Sequence, residues 1–522
     1  MSPWLEQRAR SHPDDLALVI GERAMSYAEL AARSRRLASL LAARGIGKSK
    51  IVALEASSTL QSVCWIHAVF WLGATLLPFS PRLPQAARRQ LLLEQQVDAV
   101  VTCDPDFDCR FGQAGGCVLE MDPELPPGAN DAPAATVDAQ DLLTILMTSG
   151  STAAARAVPA SLANHLASTR AIAERLALSR HDRWLLCLPL DHIGGLAILI
   201  RAVITGSSVL LCERFEPESI RRQLASQAVT LSSMVPTMLL RLLETTGGPI
   251  ESRLRALLIG GAPANPSLLE RARLAGLPVV PTYGMTEACS QLATLSPSAA
   301  SGVNFSASPG LAGRPLPGVE IRILAAGEQS TDPTPTGKVL ARGPMLCRRY
   351  RFSADRRAPG SNDSAFGSDG WFDTGDLGFV DGMGQLHIVD RVGDRIISGG
   401  INVSARQVEL ALLASGLVAE AAVLGLDHPH WGQQVVAVVT PGPAQAESRE
   451  SPAATDQHHE LVETLQQWSR SKLEPAARPA RWRVVESIPR SSSGKPVRVA
   501  LQELFSRPAF DAQSGFSEVD QR

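Results

Sequence analysis

The sequence lacks the charge imbalance that is typical of proteins that bind nucleic acid or acidic membranes. Its 522 residues include 50 lysines and arginines against 52 aspartates and glutamates, for a net charge of −2. Such a balance gives no reason to expect either kind of partner. The length also excludes a single hydrophobic core, so we expect two or more domains.

The sequence also lacks the patterns that indicate a zinc site or a secreted protein. The eight cysteines include no CxxC pair, which argues against a zinc site, and their unpatterned spacing is typical of a reduced, cytoplasmic protein. The N-terminus has no apolar stretch that predicts a signal peptide. One long apolar run, residues 62–79, contains His67 and Gly73 and ends near Pro78. It predicts a buried helix followed by a buried strand rather than a membrane span.

Apolar periodicity predicts the fold class of the larger part of the chain. Apolar residues three and four apart over residues 26–45 predict an amphipathic helix. Strand-like runs and helical patterns then alternate, which predicts an α/β fold of parallel sheets covered by helices. The predicted strands are 51–56, 98–103, 142–147, 183–190, 207–212, 254–261 and 277–284, and the helices between them include 161–177 and 217–227.

The sequence changes in character after about residue 390. Helix, strand, strand and helix patterns follow at 408–415, 418–426, 434–440 and 459–473. This order is typical of a small, separate α+β unit. We therefore predict an N-terminal domain over residues 1–390, a C-terminal domain over 391–507 and a disordered tail over 508–522.

A strand that ends in clustered hydroxyls gives the first chemical signal. The segment LLTILMTSGST leads from a buried strand into Thr148, Ser149, Gly150, Ser151 and Thr152. Hydroxyls and backbone N–H groups in such a turn can surround phosphate oxygens. The alternative is a Ser/Thr-rich loop that caps the following helix. The pattern GxxxxGK(S/T) is missing, so a P-loop NTPase is not indicated.

The segment PTYGMTEACS, residues 281–290, places a hydroxyl and a carboxylate after a strand. Thr286 and Glu287 follow Tyr283 and Gly284. Because magnesium prefers oxygen ligands and phosphates, this group could hold Mg²⁺ on ATP. The alternative is a plain helix N-terminus with Thr286 as its cap and a glutamate in the first turn.

Three later motifs each allow a functional and a structural interpretation. Asp373 and Asp376 in GWFDTGDLG could accept the hydroxyls of a ribose, or could belong to an Asp-Gly turn. The Gly399-Gly400 pair allows a close backbone approach to a partner, or a linker followed by a hairpin. Lys495, in the flexible stretch PRSSSGKPVR, could reach a phosphate on another domain, or could be a solvated surface lysine.

The order and spacing of the five motifs resemble the acyl-adenylate-forming superfamily of acyl- and aryl-CoA synthetases, luciferases and peptide-synthetase adenylation domains. The likeness extends over nearly the whole chain, from MSYAELAARSRRLASLLAARGIGKSKIVAL to SGKPVR. Within the superfamily the sequence is most similar to the o-succinylbenzoate:CoA ligases of menaquinone biosynthesis. That likeness rests on LPLDHIGGLAILIRAVITG (188–206), on the segment 260–297 and on DRIISGGINV (394–403).

The resemblance implies an AMP-forming acid–CoA ligase that uses ATP, Mg²⁺ and coenzyme A. In such enzymes the substrate carboxylate would attack the α-phosphate of ATP to give an acyl-AMP, which the thiolate of coenzyme A would then attack. The first step brings two anions together, so positive charge must be placed where the transition state needs it. The small C-terminal domain is implied to be mobile and to rotate about a hinge at 390–395. A homodimer is also compatible with the sequence.

Matching motif positions imply a role for each site residue. Glu287 would hold Mg²⁺, Thr286 would touch the α-phosphate, and Lys495 would bridge the substrate carboxylate and the α-phosphate during adenylation. The other implied contacts are Thr148, Ser149, Gly150, Ser151 and Thr152 for the β- and γ-phosphates, Asp376 and Arg391 for the ribose, Gly260, Gly261, Tyr283 and Gly284 for the adenine and acyl pocket, His192 for the acyl-pocket wall, and Gly399 and Gly400 for coenzyme A.

The phosphate loop departs from the family pattern. Relatives usually read TSGSTGKPKG, whereas residues 153–157 here read AAARA, so that two glycines and one lysine are missing and Arg156 keeps one positive charge. Alanine restricts the backbone, and losing a charge-assisted phosphate contact costs about 1–3 kcal/mol. We therefore predict weaker ATP binding or slower adenylation. Asp191 and Ile401 also differ, because relatives more often have an aromatic residue and a glutamate there.

Three functions remain open at this stage. The first is an o-succinylbenzoate:CoA ligase, the second another aryl- or acyl-CoA ligase with a different acyl pocket, and the third a weakly active or non-catalytic nucleotide-binding relative, which the alanine run motivates. A stand-alone amino-acid adenylation domain is disfavoured, because His192 stands about where those domains place an aspartate for the amine. The presence of Glu287, Asp376, Arg391 and Lys495 favours an active enzyme.

Overall fold

Alternating strands and helices form most of the chain. The computed structural model describes residues 3–104, 107, 117–121, 132–148, 156–226, 228–245, 250, 252–325, 336–351, 365–392, 395–442, 454–490 and 496–506. The helices are α1 (Trp4–Ser11), α2 (Tyr27–Ala42), α3 (Leu60–Trp71), α4 (Gln85–Glu94), α5 (Leu162–Leu176), α6 (Ile193–Thr205), α7 (Pro217–Ser226), α8 (Pro236–Leu243), α9 (Pro266–Leu274), α10 (Pro297–Ala300), α11 (Ala405–Ala414), α12 (Ala454–Lys472) and α13 (Arg498–Ser506).

The strands bear out the alternation that the apolar runs predict. They are β1 (Leu16–Ile20), β2 (Arg23–Ser26), β3 (Ile51–Glu55), β4 (Thr75–Phe79), β5 (Ala99–Thr102), β6 (Cys117–Glu120), β7 (Leu142–Thr148), β8 (Arg156–Ser161), β9 (Arg183–Leu186), β10 (Ser208–Leu211), β11 (Leu231–Met234), β12 (Ala256–Ile259), β13 (Val279–Met285), β14 (Ser290–Thr294), β15 (Leu311–Pro315), β16 (Glu320–Ala325), β17 (Gly337–Arg342), β18 (Phe372–Val380), β19 (Leu386–Arg391), β20 (Arg395–Ser398), β21 (Ile401–Ser404), β22 (Val418–His428), β23 (Gly432–Pro441) and β24 (Arg481–Val484).

The chain divides into two compact units. Unit 1 holds Met1–Arg322, Leu340–Thr374 and Val380–His387, and unit 2 holds Ile323–Val339, Gly375–Phe379 and Ile388–Arg522. Strands β16 to β19 each contribute residues to both units. The tail 508–522, which we predict to be disordered, lies outside the described residues, and the boundary at residue 390 stays a prediction.

Two sheets make up most of unit 1. One has the order β6-β5-β3-β4-β7-β8 and is parallel except for β8, which runs antiparallel to β7. Alternate residues of β3 face different cores, with Val52 and Leu54 in one and Ile51 and Ala53 in the other. A parallel sheet covered on both faces shows this pattern.

The second sheet of unit 1 carries most of the candidate site. This sheet has 13 strands, and the part that carries the site has the order β15-β14-β13-β12-β11-β9-β10-β1-β2, in which β13, β12, β11, β9, β10 and β1 are parallel. Their carboxyl ends therefore meet at one edge, where ligands of open α/β sheets bind.

Local signals explain two helices of unit 1. Helix α2 begins with a capping box, in which Ser26 Oγ accepts from the Glu29 N–H at 3.2 Å and Glu29 Oε2 accepts from the Ser26 N–H at 2.7 Å. The long apolar run forms α3 and β4, so the prediction of a buried helix and strand is confirmed. Among the described residues, no helix is both long enough and apolar enough to cross a membrane.

The C-terminal part of unit 2 is a small sheet with a core on each face. Strands β21, β20, β23 and β22 follow one another in that order, and β24 pairs with β23. In β23, Val435 and Val439 join the core that contains α11 and α12, whereas Val436 and Val438 join the core that contains α13. The two-residue period of β23 thus gives each group of helices its own apolar face.

Two buried histidines should make the fold sensitive to acid. Burial lowers the pKa of His67 to about 4, and burial together with Arg201 lowers the pKa of His165 to about 3. Below the unfolded pKa of about 6.5 the unfolded chain binds protons that the folded chain does not, so this stability is complete above pH 6.5 and is lost as the pH falls. At pH 5 the protonation of each histidine in the unfolded chain should lower the free energy of unfolding by about 2 kcal/mol.

Urea unfolding from pH 7 to pH 5 checks this acid sensitivity. Over this range the free energy of unfolding of His67→Met should fall by about 2 kcal/mol less than that of the parent. His181→Gln, which changes an exposed histidine, should follow the parent. A His67→Met variant whose free energy of unfolding falls as steeply as that of the parent would contradict the assignment.

Candidate functional site

The hydroxyl-rich loop connects the two strands of a hairpin. Strands β7 and β8 pair antiparallel down to Thr148 and Arg156, and Thr148 Oγ1 donates to the Arg156 carbonyl at 3.4 Å. The next helix, α5, is capped by Ser161, whose Oγ accepts from the Asn164 N–H at 3.2 Å. The alternative that the loop hydroxyls cap this helix is therefore wrong. Ser149, Gly150, Ser151, Thr152 and Ala153 to Ala155 lie outside the described residues.

Thr286 and Glu287 lie in a tight turn between antiparallel strands. Residues Thr286–Ala288 form one 3₁₀ turn between β13 and β14, and Met285 is its N-cap with no side-chain hydrogen bond. The interpretation of Thr286 as the cap of an α-helix is therefore wrong. The chain leaves the turn through Cys289 and Ser290, whose φ angles are +50° and +118°. Positive φ at two successive non-glycine residues stores strain, which is common at functional sites.

Gly284 allows this turn to close. A Cβ atom at this position would lie 1.9 Å from the Ser290 carbonyl oxygen and 2.6 Å from its carbonyl carbon. No side chain fits there, because both obstacles are backbone atoms. Gly284 therefore sets the distance between β13 and the strained exit of the turn.

Glu287 is half-buried and fixed through both its backbone and its side chain. Its carbonyl accepts from the Cys347 N–H at 2.8 Å, and its Oε1 accepts from the Tyr350 hydroxyl at 2.8 Å. Burial, and then the Glu287 charge, raises the pKa of Tyr350 above its usual range. The phenol therefore stays protonated and can donate at neutral pH. Sequence reasoning missed Tyr350, which no motif marks.

Arg156 reaches the same group from β8. Its Cζ lies 5.2 Å from the centre of the Tyr350 ring, and its Nη1 lies 3.5 Å from the Tyr350 hydroxyl. The guanidinium is thus in cation–π geometry over the ring. Thr148, Arg156, Tyr350 and Glu287 are connected by contacts within unit 1, and the phosphate and magnesium roles stay predictions.

Glycines and an aromatic residue flank this turn at the carboxyl edge of the sheet. Gly260 and Gly261 directly follow β12, the parallel neighbour of β13. A Cβ at Gly260 would lie 2.7 Å from Thr282 Cγ2 and 2.8 Å from the Thr282 carbonyl oxygen, and Gly261 has a φ of +78°. Tyr283 is half-buried in β13. These residues lie on neighbouring strands at this edge, and their role in an adenine and acyl pocket stays a prediction.

His192 stands at the N-terminus of α6, after β9. It is the N-cap residue but makes no side-chain capping bond, and its Nε2 lies 3.7 Å from Asp191 Oδ2. Burial raises the pKa of the Asp191 carboxyl, although His192 and Arg82 act in the opposite direction. The carboxylate that replaces the usual aromatic residue thus lies beside the histidine expected at the acyl-pocket wall.

A fully buried arginine lies beneath the turn. Arg201 of α6 is 1% exposed, and its Nη2 donates to Gln291 Oε1 on β14. Burial lowers its pKa to about 9. From α5, Ser168 Oγ donates to the Cys289 carbonyl at 2.8 Å. An arginine inside the apolar run GGLAILIRAVIT was a signal that sequence reasoning missed.

Asp376 and Arg391 come together within unit 2. Arg391 Nε lies 3.7 Å from Asp376 Oδ1, with the carboxylate buried and the arginine exposed. Asp376 lies inside β18 and not in an Asp-Gly turn, so the turn interpretation is wrong. Among the described residues Asp390 Oδ2 is buried without a hydrogen bond. Its other oxygen accepts from the Arg391 N–H at 2.8 Å.

Gly399 and Gly400 form the two-residue turn of a hairpin. Strands β20 and β21 pair up to Ser398 and Ile401, and both glycines have positive φ, +59° and +80°. This is the turn that favours glycine at both positions. The hairpin interpretation is thus confirmed, and the contact with coenzyme A stays a prediction.

The residues that flank Lys495 in the sequence are bonded to one another. Lys495 itself lies outside the described residues, but Arg490 and Pro496 form a β-bridge and the Val497 N–H donates to the Pro489 carbonyl at 2.9 Å. Arg490 Nη2 also lies 3.4 Å from Glu420 Oε2. The residues on either side of 491–495 are therefore held to one another and to β22, whereas 491–495 lie outside the described residues.

The carboxylate of Glu287 fits magnesium held mainly by a nucleotide. No cluster of three carboxylate, imidazole or thiol groups suited to a metal occurs in the described part of the chain. Glu287 Oε2 has no hydrogen bond with any described residue. Magnesium often binds through one or two carboxylates, substrate phosphates and water, which matches a site with a single protein carboxylate.

Comparison with known proteins decides the family. A model described as "AMP-binding enzyme" matches residues 5–351, and one described as "AMP-binding enzyme C-terminal domain" matches residues 407–495. The chain belongs to the AMP-binding enzyme family. Both the resemblance stated from the motifs and the α/β fold with a smaller C-terminal domain are confirmed.

Individual members of the family resemble the chain over nearly its full length. A 2-succinylbenzoate–CoA ligase from Bacillus licheniformis is 34% identical over 502 residues, which covers 95% of this chain and 98% of the relative. The o-succinylbenzoate CoA synthetase from Bacillus subtilis, solved with the acyl-adenylate intermediate OSB-AMP, has a TM-score of 0.83 at 32% identity, covering 96% and 98% of the chains. The same synthetase with ATP and magnesium has a TM-score of 0.81 at 32% identity, covering 96% and 99%.

Proposed function

We propose that this member of the AMP-binding enzyme family is an AMP-forming acid–CoA ligase that converts o-succinylbenzoate to o-succinylbenzoyl-CoA. The observation that carries the proposal is the full-length similarity, at 32–34% identity, to ligases and synthetases named for this acid. In the reaction a carboxylate oxygen forms a bond to the α-phosphorus of ATP and pyrophosphate leaves. The thiolate of coenzyme A then forms the thioester and AMP leaves.

The described residues supply a surface for the first step. In the 3₁₀ turn, Thr286 is proposed to contact the α-phosphate and the Glu287 carboxylate to hold magnesium, whose charge would neutralise the phosphate oxygens. Thr148, the first of the hydroxyl-bearing residues, pairs with Arg156 at the end of the β7–β8 ladder. These roles stay proposals, as do those of Asp376 and Arg391 at the ribose.

Positive charge near the acid is the second requirement of the first step. Lys495 is proposed to bridge the attacking carboxylate and the α-phosphate. Arg201, buried without a carboxylate partner among the described residues, adds positive potential beneath the turn. A buried charge acts more strongly there than in water, because the surrounding dielectric is low.

We also propose a cytoplasmic location and a homodimeric assembly. A reducing, cytoplasmic location suits the buried thiols of Cys64, Cys187, Cys212, Cys289 and Cys347. The homodimer allowed by the sequence is retained as a proposal that size-exclusion chromatography with light scattering can check.

A panel of acids tests the substrate. The purified chain is incubated with ATP, Mg²⁺, coenzyme A and either o-succinylbenzoate, benzoate, a medium-chain fatty acid or an amino acid, and AMP formation is followed. We expect the highest kcat/KM with o-succinylbenzoate, by at least about 100-fold over benzoate, because sites built around a polar substrate group reject analogues that lack it. A preference for another acid would overturn the proposed substrate but would still support an acid–CoA ligase activity.

A further inference from the structure

Arg156 is the remaining basic side chain in the altered half of the phosphate loop, the run AAARA. A basic residue there would be expected to reach phosphate directly. Its guanidinium instead lies over the ring of Tyr350, with Cζ 5.2 Å from the ring centre. Arginine stacks on aromatic rings through its planar, delocalised group, which the ammonium of lysine does not reproduce.

Tyr350 connects this stack to Glu287. Its hydroxyl donates to Glu287 Oε1 at 2.8 Å, a charge-assisted hydrogen bond. The ring is held in an apolar cluster with Val158 and Cys347 and packs edge-on against Phe366, with ring centres 5.2 Å apart. Because several neighbours fix the ring, its hydroxyl points at the carboxylate in a defined direction.

The backbone holds the same three elements together. The Cys347 N–H donates to the Glu287 carbonyl at 2.8 Å, and the Arg351 N–H donates to the Ala157 carbonyl at 2.8 Å. The segment that contains Tyr350 is thus bonded on one side to the 3₁₀ turn and on the other side to β8. Glu287, Tyr350 and Arg156 form one local structure in unit 1.

We propose that Arg156 and Tyr350 are positioning residues: Arg156 fixes the Tyr350 ring, and Tyr350 orients the Glu287 carboxylate for the metal of metal–ATP. Arg156 therefore acts through Tyr350 and not by touching phosphate. The inference rests on the proposed function, in which Glu287 is the magnesium ligand. It explains how a loop without the usual lysines and glycines can still serve metal–ATP binding.

A double-mutant cycle on metal–nucleotide binding tests this order of action. Binding of Mn²⁺ in the presence of a non-hydrolysable ATP analogue is followed by electron paramagnetic resonance, which requires no turnover. Tyr350→Phe should weaken binding by about 3- to 10-fold, because a donor to a charged oxygen is lost while the ring remains. Arg156→Ala should weaken it by about 2- to 5-fold. The double variant should bind as Tyr350→Phe alone does, since Arg156 has no effect without the hydroxyl.

Two further variants separate the proposal from simpler explanations. Arg156→Lys should behave as Arg156→Ala, because it keeps the charge and loses the planar stack. Tyr27→Phe removes another of the three tyrosine hydroxyls, one that donates to backbone carbonyls of Ala202 and Ser207. It should lower the thermal midpoint and leave Mn²⁺ binding unchanged.

The outcomes that overturn the proposal are distinct. Multiplicative losses in the double variant would mean that Arg156 acts independently of the Tyr350 hydroxyl, and parental binding by Arg156→Lys would mean that the planar stack does not fix the ring. A Tyr350→Phe variant that binds Mn²⁺ as tightly as Tyr27→Phe would show that the Tyr350 hydroxyl does not orient the Glu287 carboxylate for the metal. Failure of the proposed function is read separately, from the absence of pyrophosphate release by the parent chain with o-succinylbenzoate. The double-mutant cycle on Mn²⁺ binding tests the roles of Arg156 and Tyr350 whether or not pyrophosphate is released.

Discussion

Lys495→Ala should slow formation of o-succinylbenzoyl-AMP by about 100- to 1000-fold, the loss typical when one preorganised stabiliser of transition-state charge is removed. The lysine is proposed to bridge two groups that are both negative during attack. Thioester formation from synthetic o-succinylbenzoyl-AMP should change by less than about 3-fold, because the α-phosphate has already been transferred by then. Single-turnover measurements of the two half-reactions check this split.

The lysine content provides a matched control for this experiment. The chain has only five lysines, Lys48, Lys50, Lys338, Lys472 and Lys495. Lys472 ends α12 and is exposed, so Lys472→Ala removes the same charge from the same C-terminal region. It should leave both half-reactions unchanged. Equal losses in the two half-reactions of Lys495→Ala would indicate damage to the fold and contradict the bridging role.

Gly284→Ala should slow adenylation by about 100-fold and destabilise unit 1. The added Cβ would lie 1.9 Å from the Ser290 carbonyl oxygen, so the turn that carries Thr286 and Glu287 must shift. A misplacement of about 1 Å in a site can reduce the rate about 100-fold, and strain of this kind lowers the free energy of unfolding by about 2–4 kcal/mol. Pyrophosphate release and urea unfolding measure the two effects.

Gly47→Ala is the control for the glycine substitution. A Cβ at Gly47 meets no atom within 4 Å, so the change adds a methyl group without a clash. Its effect on stability should stay within about 0.5 kcal/mol. If Gly284→Ala also kept parental stability and adenylation, the close approach of β13 and the turn would not control the site.

The periodic parts of the fold could be predicted from the sequence, because their signals are local. Helix α2 has its capping box and amphipathic spacing within one stretch, and the run 62–79 is apolar throughout. Strand β8 was missed. It is short and contains Pro159, which a strand at the edge of a sheet tolerates because the missing N–H can face outward.

The candidate site was predictable only where its residues lie in motifs. Thr286, Glu287, Asp376 and Arg391 stand in such segments. Their environments could not be predicted, because Tyr350 meets Glu287 across 63 residues of sequence and Arg156 across 194. One sequence contains no sign of such pairs. The strain at Cys289 was equally hidden, since positive φ is unusual for a cysteine.

The central claim is that this chain forms an acyl-adenylate from o-succinylbenzoate and passes the acyl group to coenzyme A. The most direct measurement mixes enzyme in excess with α-labelled ATP, Mg²⁺ and o-succinylbenzoate without coenzyme A, and coenzyme A is added afterwards. The account predicts labelled o-succinylbenzoyl-AMP in proportion to enzyme, followed by its conversion to labelled AMP and the thioester. No labelled adenylate above the level seen without the acid, or an adenylate that coenzyme A does not discharge, would contradict it.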